Sequence, residues 1–248
     1  MSVPTRRERL RTATLAEIKE NARRLLTTGG PQAISLRAIA RDMGMTAPAI
    51  YRYFPSLDAL VAAVVGDLFE EMRNTVEAAR RSAGDDDPVR QLVAMARAFR
   101  HWAIGHPVEF GLIFGTPVPE LASVRECGDP QQPSAQLGAQ FIQPIVELWR
   151  RGPLPAPPRD RIERRLGRFL QPLRENHGDL PIEVAYIFLS AWARLYGLVA
   201  MEVFRQFDWA VTEAEALFEL ELEMFTAQLL ADRPTRLPDG PTGVDPSP

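Results

Sequence analysis

One cysteine, one lysine and three histidines are unusually few for a chain of 248 residues. Cys127 alone cannot close an internal disulfide, and His101, His106 and His177 lack zinc-ligand spacing, so neither a secreted scaffold nor a structural metal centre is expected. Long apolar runs are missing too. The most apolar stretch, Val184 to Met201, reaches spanning length only by including Arg194. A charge at the middle of a lipid span costs several kcal/mol, so the stretch reads as a buried helix and no membrane partner is expected. The polar, Arg-rich opening, Met1 to Arg11, fits neither a signal peptide nor a membrane anchor, and a cytoplasmic location is expected. Catalytic signatures are absent: there is no Gly-rich phosphate loop, no G-x-S-x-G elbow and no H-E-x-x-H pair. The acidic stretch Glu213, Glu215, Glu219, Glu221 and Glu223 has no Glu-x-x-His companions and reads as an exposed face. Neither a catalytic residue nor a cofactor or metal is expected.

What is present is 46% hydrophobic and 25% charged residues, the composition of a folded globular chain with one large domain or two smaller ones. Its charge is unevenly spread. Residues 1–57 hold nine arginines and Lys19 against Glu8, Glu17, Glu20 and Asp42, a net +6, while the rest holds 19 arginines against 28 acids, a net −9. A basic end on an acidic body has the electrostatics of a polyanion-binding module joined to a non-binding domain.

Helical periodicity accounts for nearly everything else. Leu15, Ile18, Ala22, Leu25 and Leu26 form one stripe, stopped by Gly29-Gly30-Pro31. Ser35 is a good N-cap for a short helix that turns Leu36, Ile39 and Ala40 inward. Gly44 then supplies a turn, and Thr46 caps a second short helix ending near Tyr53. From Leu57 an apolar stripe through Leu60, Val64, Leu68, Met72 and Val76 runs to the break at Gly84 to Pro88. Further helices are expected through Met95, Phe99 and Trp102, after Pro107, from Ser134 to Arg150, after the Pro-rich linker 152–158, and at about 181–207 and 212–231. A Pro- and Gly-rich loop spans 115–133. No alternating apolar run is long enough for a sheet, so the class is all-α. The expected division is a helix-turn-helix domain over 1–56 with a basic N-terminal arm, a larger helical domain over 57–231, and a mobile Pro-rich tail over 232–248.

Ser35 to Phe54, SLRAIARDMGMTAPAIYRYF, carries the functional signal. A short helix, a turn of about four residues and a second short helix burying Ile50 have helix-turn-helix spacing. The first helix braces the second, whose outward residues Thr46, Ala47, Pro48, Ala49 and Tyr51 can enter a major groove about 12 Å wide. Pro48 costs little because a first-turn residue has no intrahelical N–H bond to lose. The small side chains permit close approach and offer methyl contacts to thymine, and Tyr51 adds a ring and a hydroxyl. Ser35, Arg37, Arg52 and Tyr53 are placed for phosphate oxygens.

Leu36-Arg37-Ala38-Ile39-Ala40, Gly44, and Ala49 through Ser56, followed by Leu60 in a long helix, resemble the DNA-binding domain of TetR-family transcriptional regulators over about residues 15–68. The resemblance implies a homodimer that reads a palindromic double-stranded DNA operator, usually as a repressor released by a small-molecule effector. At 57 such proteins often carry a lysine aimed at the DNA backbone, where this chain has Leu57. Backbone affinity is then expected to lean on the arm with Arg6, Arg7, Arg9 and Arg11, reaching phosphate or a minor groove. Trp192, Tyr196 and Gly197 fall where one subclass has a Trp-His-Gly motif, with tyrosine replacing histidine.

The last two helices, about 181–207 and 212–231, are apolar on two faces, which suits packing on their own domain and against a second subunit around a two-fold axis. Phe99, Trp102, Phe110, Phe114, Phe141, Trp192 and Tyr196 cluster where a cavity for an apolar or aromatic effector would lie. His101 and His106 read as ordinary, partly buried residues. The arginines of the helix over 159–174, Arg161, Arg164, Arg165 and Arg168, read as its solvated face. An all-α adaptor that binds only protein would explain the helices but not the basic segment.

Overall fold

The computed structural model describes residues 5–115, 132–210 and 212–230. All of the tail, most of the loop over 115–133, and Cys127 lie outside the described residues. Within them every element is helical and no strand occurs: α1 (Arg6–Gly29), α2 (Leu36–Asp42), α3 (Ala47–Ile50), α4 (Leu57–Ser82), α5 (Pro88–Gly105), α6 (Pro107–Phe114), α7 (Pro133–Arg150), α8 (Arg159–Asn176), α9 (Ile182–Val203) and α10 (Ala214–Leu230).

A small head, α1 to α3, sits on a larger body that begins with α4. The 26 residues of α4 are about 39 Å long at 1.5 Å each. Its buried stripe, Leu60, Val64, Leu68, Met72 and Val76, packs on α1 at one end and on α5, α6 and α7 along its length. One continuous apolar core therefore crosses from head to body. A smaller cluster of Ile162, Leu170, Ile182 and Ala185 seats α8 on the N-terminal turns of α9.

Two expectations are corrected at helix ends. The basic arm is not an arm: α1 starts at Arg6, because the Thr5 hydroxyl accepts from the Glu8 N–H and the Glu8 carboxylate accepts from the Thr5 N–H, a reciprocal capping box. Helix α9 stops at Val203, short of 207, because Arg205 adopts a left-handed φ of 57° and the Gln206 N–H closes the end onto the Met201 carbonyl at 2.7 Å. Helix α9 is also not the buried helix that its composition suggested. Long and apolar enough to cross a membrane by length and composition, it is buried on one face and leaves Leu189, Ala193 and Met201 exposed on another.

Candidate nucleic-acid interface

Positioning of the recognition segment begins with two caps and a glycine. The Ser35 oxygen accepts from the Ala38 N–H at 3.1 Å, fixing the start of α2. At the other end Gly44 has φ +63°, and the Met45 N–H reaches back to the Ala40 carbonyl at 2.8 Å, so the chain turns sharply into α3. Only a residue without a Cβ makes that turn without strain. Buried Leu36, Ile39 and Ala40 of α2 and Ile50 of α3 lock the two helices together over Ile18, Ala22 and Leu26 of α1.

That packing leaves the outer side of α3 open. Thr46, Ala47 and Pro48 are exposed, Ala49 is half-buried, and Tyr51 is 46% exposed. Thr46 makes no side-chain cap bond, so its hydroxyl stands free at the front of the helix. Arg37 and Arg52 are exposed beside this surface, while Tyr53 is half-buried with the Arg11 guanidinium 5.6 Å above its ring. Ser35 spends an oxygen lone pair on its cap and keeps its proton available for donation. Because α1 extends to Arg6, its first turns and α3 flank one open groove whose lining includes Arg6, Arg7, Arg11, Met45, Arg52 and Tyr53, with no carboxylate among the lining residues. Lys19 takes no part: its ammonium pairs with Asp67 at 2.5 Å.

The body holds the expected aromatic cluster, yet its members mostly fill space for one another. Phe99 meets Phe110, Phe114 and Trp192 at ring separations of 6.1, 6.0 and 5.5 Å. Tyr196 lies 5.5 Å from Phe114 and donates its hydroxyl to the Phe114 carbonyl at 3.1 Å. Beside this packed group is an apolar cleft, partly open to solvent, between α5, α7, α9 and α10. Phe141 and Trp192 are the two members of the expected seven that line it, joined by Phe188, Leu195, Phe218 and Phe225. Sequence reasoning missed the α10 side because that helix shows no single apolar stripe.

Charged residues of the body also depart from expectation. The carboxylates of α10 are not simply a solvated face: Glu219 takes a forked bond from Arg97, and Arg100 bridges Glu202 and Glu215, tying α10 and the end of α9 to α5. Forked bonding from Arg97 lowers the Glu219 pKa below the usual carboxylate range. His101 is exposed, whereas His106 is half-buried and stacks on Trp102 at 4.7 Å. Arg161, Arg164, Arg165 and Arg168 are exposed, as expected for the solvated side of α8. Among the described residues no group of three or more His, Cys, Asp or Glu side chains is arranged to hold a metal ion.

The chain matches two protein families along its length. Residues 18–64 match the bacterial regulatory proteins of the tetR family, and residues 92–225 match the tetracyclin repressor-like C-terminal domain. The HTH-type transcriptional regulator Rv1816 of Mycobacterium tuberculosis is 28% identical over 222 residues, which cover 86% of this chain and 91% of that protein. Among solved structures, SCO4313, a protein assigned a regulatory role, is 32% identical with a TM-score of 0.68, covering 89% of this chain and 98% of the other. RolR, solved with resorcinol bound, shares the fold at 16% identity and a TM-score of 0.51, over 91% of this chain and 96% of its own. With the basic head and its exposed α3, these likenesses set the protein-only adaptor aside, and the chain belongs to the TetR family of DNA-binding transcriptional regulators.

Proposed function

We propose that the chain is a cytoplasmic, ligand-responsive repressor that binds a palindromic operator as a homodimer and leaves it when a small apolar or aromatic effector binds. The observation that carries this reading is the open surface of exposed Thr46, Ala47, Pro48 and Tyr51 with half-buried Ala49, on a segment whose other side is locked by Ile50. These residues face base edges; Ser35, Arg37, Arg52 and Tyr53 hold phosphates on either side, with Arg6 and Arg7 extending the backbone contact along α1. None of these roles needs a catalytic group, and the chain is not an enzyme.

Pairing of two copies is supported by apolar surface on the last helices: Leu189 and Met201 of α9 are 42% and 40% exposed, and Leu220 and Met224 of α10 are 55% and 60% exposed. A second copy covers both stripes around a two-fold axis and sets two recognition segments about 34 Å apart, one turn of DNA. The apolar cleft bordered by Phe141 and Trp192 supplies the effector site. Resorcinol in RolR is a small aromatic molecule held by the same fold.

Mobility shifts on promoter DNA over a salt series test the reading. Affinity should fall steeply with salt, by a log–log slope of about −0.9 for each phosphate neutralised. Tyr51→Ala should reduce discrimination between operator and scrambled DNA, whereas Arg37→Ala should weaken both evenly. Equal preference profiles for the two variants refute this division of roles, and a monomer in sedimentation at micromolar concentration refutes the dimer.

A further inference from the structure

Helix α8 stands apart from the other charged helices of the body. Both of its ends are tied to the start of α9: Arg159 Nη1 lies 3.8 Å from Glu183 Oε1, and Arg174 Nε donates to the Leu180 carbonyl at 2.6 Å. Between them Ile162 and Leu170 seat its inner side on Ile182 and Ala185. The opposite end of α9 carries Glu202, paired with Arg100, and is followed by Phe204, whose ring meets Phe110 of α6 beside the head. At 22 residues α9 is about 33 Å long, so α8 lies remote from α3 and from any duplex held there.

The charges of α8 are sorted by side. Arg159 pairs with Glu163 at 2.9 Å and Arg164 pairs with Asp160, which occupies the carboxylates of its first two turns. Arg161, Arg165, Arg168 and Phe169 fall within about 100° of one another on the other flank, along about 12 Å of helix. All four are exposed, Phe169 by 64%, and the three arginines form no ion pair among the described residues. The Arg168 guanidinium lies over the Phe169 ring at 4.6 Å. Glu175, the next acid on this side, sits about 10 Å further along the axis and accepts from Gln171.

What such a strip attracts depends on the width of the anion. A duplex or an anionic membrane presents charge over a broad area, and would bring it against the exposed carboxylates of Asp160, Glu163, Glu175 and Asp179 and against residues 58–248, whose net charge is −9. A narrow acidic segment meets the arginines alone. Their spacing of four and three residues matches carboxylates one turn apart on a facing helix, and the guanidinium fork suits a carboxylate in two-point contact. Phe169 adds an apolar anchor at the end of the strip. We propose that this flank of α8 is a docking surface for an acidic helix of another protein, with an apolar side chain that covers Phe169. The surface is separate from the DNA-binding reading and does not depend on it.

Fluorescence anisotropy of the full chain tests the surface with a capped, labelled, alanine-based peptide of about 15 residues, near the shortest that holds a helix alone. The peptide carries three glutamates at spacings of four and three and one leucine beside the last. It should bind with a Kd of about 10–100 µM at low salt, as expected for a small transient contact, and more weakly as salt rises. Its glutamine counterpart should bind at least about tenfold more weakly, and Arg165→Glu should cost the acidic peptide a similar factor. Phe169→Ser should weaken it about threefold to tenfold, and Arg161→Gln about threefold. Both classes of variant replace exposed side chains and should keep the parental far-ultraviolet dichroism. Replacing Arg6 and Arg7 by glutamine should leave peptide binding unchanged. Absence of binding, binding indifferent to Arg165 and Phe169, or binding lost with the two head arginines overturns the proposal. So does Arg165-dependent binding to phosphatidylserine vesicles as tight as that to the peptide, which would assign the strip to a lipid surface.

Discussion

In the head, Arg6, Arg7, Arg37, Arg41 and Arg52 are exposed and form no ion pair among the described residues; in the body, Arg80, Arg97, Arg100, Arg159 and Arg174 each end on a carboxylate. One residue type is thus left as exposed charge in one region and closes carboxylate pairs in the other, between helices at Arg97 and Arg100. Hydrophobic packing differs in parallel. The head is held by aliphatic side chains around Ile18, Ile39 and Ile50, and the body by contacting rings around Phe99. A small aliphatic core keeps α3 rigid while leaving its outer face free, whereas the aromatic core fills the interior and leaves a cleft at its edge.

The contrast can be broken most forcefully in the body. Phe99 is fully buried and touches three rings, so Phe99→Ala should cost about 3–5 kcal/mol, read as a fall in the thermal midpoint. In the head, Ile50→Ala removes the one buried side chain of α3 and should cost about 2–5 kcal/mol locally. If the two regions are as distinct as their cores, this variant loses operator binding in a mobility shift while its body keeps the parental near-ultraviolet dichroism of Trp102 and Trp192. Loss of that signal would show that the continuous core along α4 makes one cooperative unit.

How much of this could be read in advance depends on the range of the interaction responsible. The α2–turn–α3 unit was legible in outline because its causes are local, a serine cap and a glycine with positive φ, although α3 ends at Ile50 and not near Tyr53 and Thr46 makes no side-chain cap bond. The helical start of α1 was equally local, written in Thr5-Arg6-Arg7-Glu8, and was overlooked because four arginines suggested a loose arm. The end of α9 carries no such mark, since an arginine rather than a glycine takes the left-handed turn. Pairings such as Arg23 with Glu109, 86 residues apart, have no local signature at all. Most of the aromatic residues do meet one another in the body, but which of them line a cleft depends on how α10 settles over α5 and α9.

A smaller effect sharpens the reading of head arginines as available charge. Replacing Arg6 and Arg7 by glutamine on the exposed first turn of α1 should leave the fold intact and lower the salt slope of operator binding by about 0.9 for each lost phosphate contact. Preference for operator over scrambled DNA should stay constant, since these side chains sit beyond the α3 surface. A slope equal to the parent's would mean that the basic groove between α1 and α3 does not hold the backbone.

The smallest expected effect concerns the joint between the regions. Burial alone would raise the Glu71 pKa, but the bonds from Arg23 and Trp102 and the nearby positive charge outweigh it and hold the carboxyl below its ordinary value. A depressed folded-state pKa contributes stability that is complete above the unfolded value, about 4.3 for glutamate, and is lost as pH falls through the folded one. Other carboxylates, Glu77 and Glu219 among them, are lowered in the same direction, so the stability of the parent alone cannot isolate this one. Its difference from Glu71→Gln can. The urea midpoints of the two chains should differ by a constant amount above the unfolded glutamate value and converge as pH falls from there through the depressed folded one. Because Glu71 is more than a third exposed, solvent screens the pair and the gap should be modest. A gap that persists unchanged into strong acid would mean that Glu71 acts through its neutral hydrogen bonds, leaving Glu109 as the one charged hold that the body has on Arg23.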